Sequence, residues 1–88
     1  MRGLGHTLWE HAERAEKAQI VLNDAARAAT ALARTGHCEQ AIKRLVDAAR
    51  AQGVYVAHQA QTGDVVNASS LELDRAVHAV TVCAGPKR

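Results

Sequence analysis

From Thr7 to Arg34 the chain carries neither glycine nor proline and is dominated by Ala, Glu, Lys, Arg and Leu. These are strong helix formers, so this unbroken run constrains the fold more than any other feature. Its apolar positions Leu8, Ala12, Ala15, Leu22, Ala25, Ala29 and Leu32 step by three, four or seven and fall on one stripe. Thr7 with Glu10 makes a capping box at the start, and Gly36 after Thr35 supplies a C-cap. The expectation is an amphipathic helix over 8–34, about 40 Å long at 1.5 Å per residue.

A second helix is expected from about His37 to Gln52. Its buried face is Ala41, Ile42, Leu45, Val46, Ala48 and Ala49, and Gly53 closes it. The short break at Gly36 makes the two helices antiparallel neighbours. Val54, Tyr55 and Val56 favour strand, Gln61-Thr62-Gly63-Asp64 reads as a turn, and Val65-Val66 offers a return strand. Ser69-Ser70-Leu71-Glu72 is a second capping box, followed by Leu73, Ala76, Val77, Val80 and Cys83 at helical spacing. The fold class is therefore all-α: a single domain over 1–88, built as an antiparallel helical hairpin plus a shorter C-terminal helix. A short irregular or β-like segment lies near 54–66, and the ends 1–5 and 84–88 are loose.

Composition limits the core. Hydrophobic residues make up 48% of the chain, but nineteen of them are alanine and phenylalanine is absent. Burying a Leu, Ile or Val side chain contributes roughly 1.5–3 kcal/mol, whereas alanine offers one methyl group. A thin core of this kind favours helices packed closely on helices, including those of a second copy. Because the first helix outruns the second, Leu8, Ala12 and Ala15, with Trp9 at their margin, are expected to form the interface of a homodimer.

A formal net charge of +2 with interspersed signs fits a solvated surface. No apolar run approaches the length of a membrane span, and no leader pattern is visible. The expectation is a cytoplasmic protein with no membrane association. Cys38 and Cys83, 45 residues apart, offer no disulfide framework and are expected as free thiols. Five histidines invite a metal site, yet no C-x-x-C, H-x-x-x-H or H-E-x-x-H spacing occurs. Acids such as Glu10, Glu13, Glu16, Asp24 and Glu39 alternate with bases as on a solvated face. Cys38 near a helix start has no identifiable base or pocket. No enzyme activity, metal or cofactor is expected.

Two stretches resemble known families. Asp24 to Gly53 resembles a tetratricopeptide repeat unit: Gly36 sits at the turn, then Ala41, Leu45 and Ala48, with Ala28, Ala29 and Leu32 in the first helix. The likeness covers about a third of the chain and occurs once, where repeat architectures stack several units. A generic alanine-rich hairpin demands small residues at the same places and is the reading taken. Leu45 to Val54 resembles a helix-turn-helix of the lac-repressor type, through its A-x-x-x-G-V pattern. That resemblance implies a turn at Gly53 and a recognition helix over Tyr55 to Gln61. Tyr55, His58, Gln59 and Gln61 would then be offered to a groove, and Lys43, Arg44 and Arg50 would meet phosphates.

The function expected from the sequence is a non-catalytic helical interaction or assembly module that self-associates. The alternative is a small DNA-binding regulator. The segment Val54–Gln61 separates the two, being helical for the DNA reader and extended or irregular for the assembly module.

Overall fold

The computed structural model describes residues 4–61 and 70–85, with side chains from Trp9 onward. Three helices follow in order: α1 (Leu4–Arg34), α2 (Cys38–Gln61) and α3 (Leu71–Cys83). No strand occurs among the described residues. α1 and α2 form the expected antiparallel hairpin. The Cα radius of gyration is 15.6 Å, against about 12 Å for a compact chain of this length, so the molecule is elongated and has little interior.

The α1–α2 corner is built by Gly36. Its φ of 86° lies in the left-handed region, where a Cβ would be strained. The Gly36 N–H donates to the Ala33 carbonyl at 3.2 Å and the His37 N–H to the Leu32 carbonyl at 2.9 Å. This crossed pair is the Schellman ending of a helix, and it satisfies two carbonyls that α1 would otherwise leave bare.

Helix boundaries differ from expectation in three places. α1 already runs from Leu4, so Thr7 is an interior residue rather than a cap, and positions 4 and 5 are helical. α3 is capped by Ser70, whose Oγ accepts from the Leu73 N–H at 3.2 Å. The capping serine thus stands one residue later than the capping-box pattern implies, with Glu72 and Asp74 in the first turn favouring the helix dipole.

The largest difference is in α2. It does not stop at Gly53 but continues through Val54, Tyr55 and Val56 to Gln61. The expected β-like segment is therefore helical over 54–61, while 62–66 lies outside the described residues. A mid-helix glycine costs about 1 kcal/mol relative to alanine, and β-branched residues cost a few tenths more each. Packing overrides these penalties. The extension lays Tyr55 and His58 along the first half of α1, where Ala15 and Ala18 are buried. The overhang of α1 is thus covered from within the same chain at Ala15 and Ala18, while Ala12 stays exposed.

Ten of the twelve buried hydrophobic residues described are alanines, and the other two are Leu22 and Val80. Leu32, Leu45, Leu73, Ala79 and Cys83 are partly buried against them. α3 runs alongside α1 and antiparallel to α2. Its first turn lies by Gln19 and Asn23 of α1 and its last turn by Cys38 of α2. Three helices therefore surround the core near the corner, and two alone, among the described residues, form the opposite end.

Candidate functional site

Besides an ion pair between Arg27 of α1 and Glu72 of α3 at 3.5 Å, two features tie the helices together, and each arises from residues remote in sequence. At the corner end, Cys38 opens α2 and Cys83 closes α3, and the two form a disulfide with a Cα–Cα distance of 5.8 Å. The expectation of free thiols is overturned: no described cysteine is free. Spacing gave no hint because the pairing depends on α3 returning beside the start of α2. Two helix ends that meet at a corner need no Cys framework to be bridged.

At the opposite end, His11 of α1 faces His58 of α2. Their Nδ1 atoms stand 2.8 Å apart and their ring centroids 5.0 Å apart, with the planes tilted by 35°. Both residues are half-buried. An Nδ1–Nδ1 hydrogen bond requires one ring to donate and the other to accept. The pair exists only because α2 continues past Gly53, which brings His58 level with His11. A sequence reading that ended α2 at Gln52 had no means of seeing it.

The residues expected at a dimer interface are scattered. Trp9 is 61% exposed and Ala12 is exposed, but Ala15 is 2% exposed and belongs to the core. The side chain of Leu8 lies outside the described residues. A face that includes Ala15 is not available to a second copy, because α2 already occupies it.

The residues expected to meet DNA are likewise dispersed. A helix-turn-helix needs two helices joined by a turn, and α2 is one continuous helix through Gly53. Gly53 does not take up a positive φ. His58 is engaged with His11, and Gln59 Nε2 donates to the Tyr55 hydroxyl at 3.5 Å. Arg44 pairs with Asp47 at 3.1 Å on the same helix, while Lys43 and Arg50 are exposed. Segment 54–61 is helical, as the DNA reading asks, but without the turn that would make it a recognition helix.

A surface depression of about 650 Å³ is an open trough between α1 and α3, lined by Arg34, Asp74, Arg75, His78 and Val82 among others. Arg34, Asp74, Arg75 and His78 are all exposed along its rim. Asp74 and His78 are one helical turn apart on α3, so they share a solvated face, and the trough encloses no apolar chamber around them. No helix is long and apolar enough to cross a membrane among the described residues. Nor do those residues bring three or more His, Cys, Asp or Glu side chains together at a metal-binding spacing. No family model, curated protein or solved structure matches the chain.

Proposed function

We propose that the chain is a non-catalytic helical assembly module that pairs with a second copy through the outer face of α2. The supporting observation is Gly53. Left-handed geometry does not require a glycine here, and a Cβ added at this position would meet nothing within 4 Å. The protomer thus carries a mid-helix glycine, at a cost of about 1 kcal/mol relative to alanine, for no reason internal to itself. Close approach of another backbone is a physical reason for such a glycine.

The surroundings of Gly53 favour a copy of the same helix. Ile42, Val46, Ala49, Gly53, Ala57 and Ala60 recur at steps of three and four, are all exposed, and form a line without a charge. Ile42 and Val46 are 41% and 43% exposed at one end of that line. The other end is small. An antiparallel copy sets Ile42 against Ala60 and Val46 against Ala57, with Ala49 beside Gly53, so large meets small along the whole length. The outer face of α1 is a poorer candidate, because Glu13, Glu16 and Arg27 interrupt Trp9, Ile20 and Ala31 there. A single-helix face is a small interface, so pairing belongs in the micromolar range.

The disulfide favours an oxidising compartment over the cytoplasm that the spacing of the cysteines suggested, since cytosolic thiols are kept reduced. The test of the pairing is Gly53→Leu. Leucine is a better helix former than glycine and finds open space in the protomer, so the isolated fold is kept or strengthened. Light scattering over a dilution series should then report a dimer for the unmodified chain and a monomer for the variant. Equal association of the two would remove the α2 face from consideration.

A further inference from the structure

We propose that His11 and His58 form a two-imidazole site for a first-row divalent metal ion that favours nitrogen ligands, Zn²⁺ or Cu²⁺. The rings come from different helices and sequence positions 47 apart, yet both present Nδ1 to the same point, 2.8 Å from each other. Zinc–imidazole bonds are about 2.0–2.1 Å, so two such nitrogens on a tetrahedral ion stand about 3.3 Å apart. The observed pair needs to open by roughly half an ångström, which a small rotation of either ring about its Cα–Cβ and Cβ–Cγ bonds supplies.

Proton bookkeeping is simple. Without metal, one Nδ1 carries the hydrogen that the other accepts. With metal, that hydrogen resides on Nε2 of the same ring, so both Nδ1 lone pairs face the ion and no net proton leaves two neutral rings. No third His, Cys, Asp or Glu completes the set among the described residues, so water fills the remaining positions. The half-buried setting leaves an open side for that water. Hard, oxygen-seeking ions such as Mg²⁺ have nothing to prefer here.

The ion joins the two helices where α3 does not reach, and it binds the folded hairpin in preference to the unfolded chain. Thermal unfolding with Zn²⁺ at about one hundred times its dissociation constant should therefore show the folding constant raised about 100-fold, seen as a midpoint several degrees higher. Mg²⁺ should leave the midpoint unmoved.

His11→Gln and His58→Gln retain a hydrogen-bonding group at each place, and circular dichroism verifies their helix content. Each should weaken Cu²⁺ binding at least tenfold, whereas His37→Gln and His78→Gln should leave it unchanged. Electron paramagnetic resonance of the unmodified chain at one Cu²⁺ per protomer gives a readout independent of any variant, with two imidazole nitrogens expected on the copper. The proposal is overturned by an unmoved midpoint with Zn²⁺, by binding unchanged in both glutamine variants, or by a spectrum without two equatorial imidazoles.

Discussion

The two ends of this molecule are held in different ways. At the corner, a Schellman turn, a disulfide and three packed helices converge within a few residues of Cys38. At the far end, α1 and α2 run on without α3, over alanines, and a His11–His58 hydrogen bond crosses between them. The corner is stable by topology and covalent closure. The far end is only as stable as small-residue packing makes it. An alanine core permits long helices to lie close, but it gives little burial per residue, so the molecule relies on its tie points.

Removing the disulfide is the strongest way to break this contrast. Cross-linking residues 45 apart in sequence restricts the unfolded chain by about 4 kcal/mol in the loop-entropy account. Urea unfolding of Cys38→Ser/Cys83→Ser should show a loss of that order, and an unchanged midpoint would mean the corner stands without its bridge. Leu22→Ala comes next. Leu22 is 3% exposed and is the largest buried side chain described, so truncation should cost about 2–4 kcal/mol. Leu32 and Leu45, which the sequence places on the two apolar stripes, are only partly buried, and the same change there should cost less. If all three cost alike, burial is not what distinguishes them.

The far end responds on a smaller scale. His11→Ala removes one net hydrogen bond, worth about 1 kcal/mol. Its signature should be local: faster amide exchange over residues 9–18 and 54–61, with exchange near residues 38–41 unaltered. Uniformly faster exchange along both helices would erase the distinction between the ends. Gly53→Ala is the smallest effect, a gain of about 0.5–1 kcal/mol in protomer stability from helix propensity alone. A loss on thermal unfolding of the monomer would show that the protomer itself needs this glycine.

The hairpin, the corner at Gly36 and the third helix were legible in the sequence because each rests on local chemistry. Gly36 needs a positive φ, the capping serines precede a helix, and the apolar steps have helical period. The continuation of α2 was not legible. Val54-Tyr55-Val56 and Gly53 each argue against helix locally, and only the need to cover Ala15 and Ala18 on a different helix reverses them. The candidate sites follow the same division. Of the residues expected at a dimer interface, Trp9 and Ala12 are exposed, but Ala15 is lost to the core through the extension of α2. The disulfide and the histidine pair join positions 45 and 47 apart, where spacing along the chain carries no information.

Sedimentation equilibrium of the oxidised, metal-free chain tests the assembly reading most directly. Across a series from low to high micromolar concentration, the weight-average mass should rise from that of the 9.4 kDa protomer toward twice that value. Under the same conditions Gly53→Leu should remain at the protomer mass. A single 9.4 kDa species for the unmodified chain at the highest concentration would contradict the account.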